Sequence, residues 1–315
     1  MNRLSEELFE KLKISCDKCT ADTISLSGGL DSTILAYFLK KRNPKVVSII
    51  AKDFEASDLV YCQMASQEFD LPLTIFSVET EQILEAIEGT IKILRNFNDI
   101  EIRNNIVMYL AIKWAKENQS NGIITGDGAD ELFAGYNFLL EKSKEELEEE
   151  IKRIYSIMHF PTQKIGNSLG VSVESPFLDK DFVKFALSIP GDLKVNSKNG
   201  KKYGKWILRK TFENKIPQKI AWREKSPMQD GAGTNKLEEL FENMISNDMF
   251  DKSKEKIYKN HGITIRTKES MYYFDIFQRL YEVHHIAKDD EHSCPYCRFN
   301  VKNSKFCRMC GAFPI

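Results

Sequence analysis

Three stretches of this 315-residue chain bring together residue types that could do chemistry. Ser27-Gly28-Gly29-Leu30-Asp31-Ser32 follows an apolar, β-branched run and opens a helical pattern. Unpaired backbone amides and the positive end of a helix would there face an anion, and the glycines would let it approach closely. A plain strand-to-helix turn competes with that reading for a bare Ser-Gly-Gly, but the six-residue string is more specific. In Gly126-Asp127-Gly128-Ala129-Asp130-Glu131 three carboxylates crowd together, and their mutual repulsion asks for a cation or a substrate amine. Alternatively Asp127 only ends a strand, while Asp130 and Glu131 favour the positive end of the next helix. Cys294, Cys297, Cys307 and Cys310 form C-x2-C-x9-C-x2-C, the spacing of a zinc ribbon in which two turns supply four thiolates.

These stretches need elements to position them. Apolar runs at Thr23–Leu26, Val46–Ile50, Leu73–Phe76 and Gly122–Thr125 alternate with helical patterns, which predicts a doubly wound parallel sheet of the α/β class. One helix is expected over about 32–42, with Ile34, Leu35, Phe38 and Leu39 on one face, and a long one near 103–118 with Ile106, Tyr109, Leu110 and Trp114. After about residue 130 the β-branched runs stop, and helices joined by loops around Pro176, Pro190, Pro217 and Pro227 are expected. The boundaries that follow are a helical lead over 1–20, an α/β core over 21–141, a helical substrate lobe over 142–290 and the ribbon over 291–315. The acidic run Glu145 to Glu150 shares its stretch with Leu147, Ile151 and Ile154 and reads as a solvated helix face.

Composition narrows the classes. Forty-five basic against 46 acidic side chains leave a formal charge of -1, so no global field draws the protein to nucleic acid or anionic membranes. A hydrophobic content of 42% suits a folded core, and no apolar run has the length of a membrane helix. The start, Met1-Asn2-Arg3-Leu4-Ser5, lacks the apolar stretch of a signal peptide, so a cytoplasmic protein is expected. Seven cysteines are too few for a disulfide scaffold at this length. Cys62 reads as a core thiol. Cys16 and Cys19 form a lone C-x-x-C that is a redox pair, half of an intersubunit metal site, or an accident of spacing, the last being favoured.

The string from Ser27 to Ser32 resembles the pyrophosphatase loop of the N-type ATP pyrophosphatases, the superfamily of asparagine synthetase, GMP synthetase and the tRNA-thiolating enzymes. The second acidic loop, continuing through Leu132-Phe133-Ala134-Gly135-Tyr136, resembles the asparagine synthetase signature. That resemblance implies an adenine nucleotide alpha hydrolase-like fold and an AMP-forming ligase that activates a carboxylate for attack by ammonia or an amine. It implies ATP held by Leu26, Ser27, Gly28, Gly29, Asp31, Ser32 and Gly126, with magnesium on Asp31 and Asp130. Those two loops follow the first and fourth strands, which in a doubly wound sheet flank the point where ligands bind. Asp127 falls on the acidic position beside the acyl-adenylate and incoming amine, and Arg103 falls on a family arginine that holds phosphate.

Lys205-Trp206-Ile207-Leu208-Arg209, followed by Ile216-Pro217 and Ala221-Trp222-Arg223-Glu224-Lys225, resembles the family's K-x-x-L-R block and implies Lys205 as the catalytic lysine. Gly170 to Asp179 matches a family loop, except that Ser172 stands where glutamate is usual and Glu174 where arginine is usual. If that loop lines the acceptor site, its altered charges favour a carboxylate other than aspartate, or a substrate with positive charge. Lys268 to Phe274 resembles the family's C-terminal helix, so the likeness runs over about residues 20–285. The family's glutamine-hydrolysing domain starts with a cysteine nucleophile, whereas residue 2 here is Asn. The expected nitrogen source is therefore free ammonia, a separate glutaminase subunit, or an amine on the second substrate. Four thiolates would make the zinc structural, and the ribbon a module that docks protein, as preferred, or RNA through Arg298, Lys302, Lys305 and Arg308. A tRNA-modifying, thiolating enzyme that adenylates a base is the alternative in a different class, and a non-catalytic scaffold a third.

Overall fold

A computed structural model gives the structure and describes residues 2–52, 58–224, 236–283, 292–302 and 304–315. Two compact units interleave in sequence: Met1–Ile50, Ala56–Ser77 and Ala111–Ala232 form one, and Ala51–Glu55, Val78–Leu110 and Gly233–Ile315 the other.

The first unit is built on a five-stranded sheet of β1 (Thr23–Ser25), β2 (Lys45–Ala51), β3 (Leu73–Val78), β4 (Gly122–Ile124) and β5 (Ser172–Glu174), in the order β3-β2-β1-β4-β5. β1 pairs in parallel with β2 and β4, and β4 with β5. The order reverses at β1, so the loops after β1 and β4 lie side by side at the switch point. Ile24, Val46, Ile123 and Ile124 are fully or almost fully buried, as runs covered on both faces require. Helix α1 (Asn2–Asp17) turns Leu8, Leu12 and Cys16, spaced at four residues, into a stripe with no exposure. Phe9 from α1, Phe38 from α2 (Leu30–Leu39) and Phe212 from α10 (Trp206–Phe212) meet with ring centroids 5.0 to 5.8 Å apart.

Three features depart from the sequence reading. The helix expected over 32–42 runs from Leu30 to Leu39 and closes in a 3-10 turn at Lys40–Arg42, and the one expected near 103–118 is α5, Asp99–Glu117. Strand β5 occupies a stretch expected to be a loop, because three residues with only Val173 buried are too short to show a period. An antiparallel hairpin of β6 (Asn196–Lys198) and β7 (Lys201–Tyr203) falls in the half expected to be helical. Its two-residue turn, Asn199-Gly200 with φ of 53° and 78°, has the paired positive φ that Asn-Gly supplies.

The second unit contains α4 (Thr80–Leu94), the start of α5, α12 (Leu237–Met244), α13 (Asn247–His261), α14 (Lys268–Leu280) and the C-terminal cysteine turns. Helix α14 packs against α4 and α12 and buries Met271, Tyr273, Phe274 and Ile276. Phe97 sits with its ring 5.1 Å from Phe274 and 5.4 Å from Phe277. Among the described residues no helix is long and apolar enough to cross a membrane. Lys225 and Pro227 lie outside the described residues.

Candidate active site

The chain leaves β1 at Ser25, and Gly29 caps α2, placing residues 26–29 before the positive end of that helix. Gly28 is left-handed at φ +66°, and a Cβ there would stand 2.7 Å from both Cys62 N and Tyr61 Cβ, so only glycine fits. The hydroxyls close the turn. Ser32 Oγ accepts from Ser27 N at 3.2 Å and lies 3.1 Å from Ser27 Oγ, and Ser27 Oγ accepts from Gly29 N at 3.4 Å. Leu26 is buried and donates its N–H to Val47 O, extending the sheet up to the loop.

Asp31, in the first turn of α2, and Asp130, in the short helix α6 (Ala129–Leu132), converge on one cation. Lys205 Nζ lies 2.6 Å from Asp31 Oδ2 and 2.7 Å from Asp130 Oδ1, and its side chain is 7% exposed against 17% and 24% for the carboxylates. Burial disfavours the ammonium, but the two carboxylates outweigh it and hold the lysine above its ordinary range, hence charged. The β6–β7 hairpin delivers Lys205, which follows Gly204, takes φ +56° as the cap of α10 and donates its own N–H to Phe133 O. Two glycines leave room for this cluster. A Cβ on Gly126 would come within 3.1 Å of Asp31 Cβ, and one on Gly135 within 1.8 Å of Asp130 Oδ1 and 2.5 Å of Lys205 Cε.

Asp127, half-buried at the end of β4, accepts from Thr125 Oγ1 at 3.0 Å and from Thr162 Oγ1 at 2.6 Å. Burial raises its carboxyl above the usual range, against the pull of those two hydroxyls. Ser175, just past β5, lies 2.8 Å from Thr125 Oγ1 and extends the hydroxyl row. Burial likewise raises Glu131, which accepts from Tyr136 OH at 2.5 Å.

Several of these residues carry no signal of their own in the sequence. Thr162 and Ser175 are single hydroxyls far along the chain. Arg223 was visible only as part of a motif block, yet its guanidinium lies 3.8 Å over the Tyr61 ring, donates to Asp58 Oδ1 at 2.5 Å and reaches Gly28 O at 3.5 Å. It therefore braces the back of the Ser27–Ser32 loop. Arg209, 5% exposed, donates to Gly204 O and to the carbonyls of Ala221 and Arg223, tying the peptide before Lys205 to the one that bears Arg223.

One expectation changes on the structure, that the altered charges of the 170–179 loop face an acceptor. Glu174 does not face an acceptor: its carboxylate accepts from Thr20 N, Thr20 Oγ1 and Ala21 N, fastening the chain between α1 and β1. Ser172 is exposed and pairs opposite Gly122 at the start of β4, whereas the ligand loops follow the strand ends. The altered charges at these two positions thus give no reason to disfavour aspartate. Arg103 belongs to the second unit, where its Nε lies 3.2 Å from Glu269 Oε1 and its Nη1 4.0 Å from Glu238 Oε2. Burial pushes Glu269 up to about 7, with Arg103 and the Tyr273 hydroxyl pulling the other way.

The four C-terminal cysteines are buried, and their sulfurs all lie within 4.8 Å of one another, with Cys294–Cys310 at 3.7 Å and Cys297–Cys307 at 3.5 Å. Thiolates around one tetrahedral zinc, with Zn–S of about 2.3 Å, stand about 3.8 Å apart, so the set fits that ion. Each turn ends on a left-handed residue, Arg298 at φ +60° and Gly311 at φ +75°. Burial pushes Cys19 and Cys62 up to about 12 and Cys16 higher still, and Cys62 Sγ rests 3.3 Å from Leu26 O in the core.

The model of the asparagine synthase family matches residues 22–159 and 143–295, so it covers the sheet, both ligand loops and most of the second unit. The chain belongs to the asparagine synthase family. It is 28% identical over 300 residues to a mouse glutamine-hydrolysing asparagine synthetase, and 31% identical over 305 residues to the chicken one. Both alignments take in 89% of this chain and 51% of the relative, so the chain spans about half the length of the curated synthetases it matches. A solved NMN synthetase from Francisella tularensis superimposes over 92% of this chain and 98% of its own, with 15% identity and a TM-score of 0.39, too loose a likeness to argue from.

Proposed function

We propose that this asparagine synthase family member is an ATP-dependent carbon–nitrogen ligase that forms an amide. A substrate carboxylate attacks the α-phosphorus of ATP, the α–β anhydride breaks and pyrophosphate departs with its electron pair. Ammonia or an amine then attacks the acyl-adenylate and AMP leaves. The observation that carries the reading is Lys205, buried within 2.7 Å of a carboxylate from each of the two loops at the switch point. Its ammonium, held charged, suits the stabilisation of negative charge developing on the α-phosphate and on the tetrahedral species, a role worth several kcal/mol. The positive end of α2, with the Ser27 and Ser32 hydroxyls before it, suits the pyrophosphate.

Asp31 and Asp130 each carry a second carboxylate oxygen besides the one paired with Lys205, and hard oxygens of this kind suit magnesium, which these two residues would hold. Magnesium would neutralise charge on the leaving pyrophosphate. Asp127, which accepts from Thr125 and Thr162 and whose proton affinity is raised, would take a proton from the incoming amine. Nitrogen would come as ammonia or on an amine substrate. The four cysteines would hold a structural zinc.

The test is to incubate the protein with ATP, magnesium, ammonium and aspartate and to resolve the nucleotide products. AMP with pyrophosphate, formed only with the carboxylate and alongside asparagine, supports the reading. ADP with phosphate would sink it, and AMP with another carboxylate alone would keep the chemistry and change the substrate.

A further inference from the structure

A tetrahedral site closed by four thiolates leaves no position open for catalysis, so the cysteine ribbon must act through what its surface touches. Within the second unit, that surface is taken by the same chain. Phe97 N donates to Met309 O at 3.0 Å, Asn98 Nδ2 to Arg308 O at 3.4 Å and Arg266 Nη2 to Cys310 O at 2.7 Å. The other cysteine turn receives Thr264 N on Tyr296 O at 2.7 Å. The approach is close enough to exclude side chains: a Cβ on Gly311 would stand 2.5 Å from Asp99 Oδ1, and one on Gly262 2.7 Å from Arg298 Cζ.

The two contacted segments share a role. Residues 97–99 start α5, and residues 262–266 lead into α14, whose cap is Thr267. Arg266 bridges them, donating to Cys310 O while its guanidinium lies 3.7 Å from Asp99 Oδ2. One turn further in, Arg103 on α5 meets Glu269 on α14 at 3.2 Å, and Glu269 is 2% exposed. The ribbon thus sits at the open end of the Arg103–Glu269 contact between the two helix starts.

We infer that the metal-bound cysteine ribbon is an internal clasp whose binding partner is this chain's own Phe97–Asp99 and Gly262–Arg266, and that filling the four-cysteine site fixes the starts of α5 and α14. The inference rests on the metal site and not on the ligase reading. It assigns one part of the ribbon's surface to the chain itself: the carbonyls of residues 308–310 accept hydrogen bonds from Asn98, Phe97 and Arg266.

The test is residue-resolved hydrogen exchange on the full chain, loaded with one Zn²⁺ and then stripped by a chelator. On stripping, the Phe97 and Thr264 amides should exchange about tenfold faster or more, together with the first turns of α5 and α14, while α2 in the first unit keeps its protection. In the zinc-loaded Arg266→Ala variant, which keeps all four cysteines, zinc content should stay at one per chain and the Phe97 amide should still exchange about tenfold faster. Changes confined to residues 292–315 on stripping, or unaltered Phe97 exchange in R266A, would overturn the clasp. Failure of the full chain to bind zinc at all would overturn it too, and would leave the ligase reading untouched.

Discussion

Replacing Gly135 by alanine should disable the site while leaving the fold intact. The new Cβ would lie 1.8 Å from Asp130 Oδ1 and 2.5 Å from Lys205 Cε. To regain van der Waals distance the Asp130 carboxylate must retreat by about 1.5 Å, and it cannot do so and keep its 2.7 Å contact with Lys205. A displacement of about 1 Å at a reacting centre costs about a hundredfold, or roughly 3 kcal/mol of barrier, so pyrophosphate release at saturating ATP should fall about a hundredfold or more. Overpacking costs about 1–3 kcal/mol of stability, a shift of a few degrees in melting temperature. Gly135 is not among the positive-φ residues, so alanine brings no backbone strain of its own. Gly170→Ala supplies the control: its φ of +72° carries strain, nothing lies within 4 Å of the added Cβ, and stability should drop without loss of turnover. Turnover of G135A within about threefold of the wild type would refute the argument that Asp130 and Lys205 act as one rigid pair.

Two other perturbations probe the surroundings. Arg223→Ala should raise KM for ATP and cost about 2–3 kcal/mol, because it removes the guanidinium from Asp58, Tyr61 and Gly28 O; lysine should not rescue it, lacking the planar fork, and unchanged ATP affinity in R223A would contradict the bracing role. Glu269, whose folded carboxyl stands at about 7 against an ordinary 4.5, keeps its proton longer in the folded chain. Its contribution to stability is therefore full below about pH 4.5 and lost as pH rises through about 7, a decline of up to about 3 kcal/mol. Urea unfolding from pH 5 to 8 should show that decline in the wild type and a flatter profile in Glu269→Gln; identical slopes would sink the assignment.

How much of this was legible depended on how far apart in sequence the partners lie. Asp31 and the serines of the phosphate loop share one string at a strand end, and the same holds for Asp127 and Asp130, so position and chemistry could be read together. Lys205 sits 174 residues from Asp31 and became visible only through resemblance. Thr162 and Arg223 reach their partners across 35 and 165 residues, and neither a threonine nor an arginine marks a site by itself. Glu174 misled for the same reason: its charge was readable, but the Thr20 and Ala21 amides that consume it lie more than 150 residues away. The Asn199-Gly200 turn was a clear local signal, missed because the three-residue strands beside it are too short and too polar to show alternation. The cysteine spacing announced the ribbon, whereas its partner, Asn98, stands 210 residues from Arg308.

The most direct test of the site is ATP–pyrophosphate exchange in Lys205→Met, set against ATP affinity measured separately by calorimetry. The buried, charged lysine is assigned to stabilising the adenylation step, so exchange should fall about a hundredfold to a thousandfold while the dissociation constant for magnesium-ATP moves by no more than about threefold. Exchange at the wild-type rate, or a loss wholly explained by weaker ATP binding, would contradict the role given to the Asp31–Lys205–Asp130 cluster.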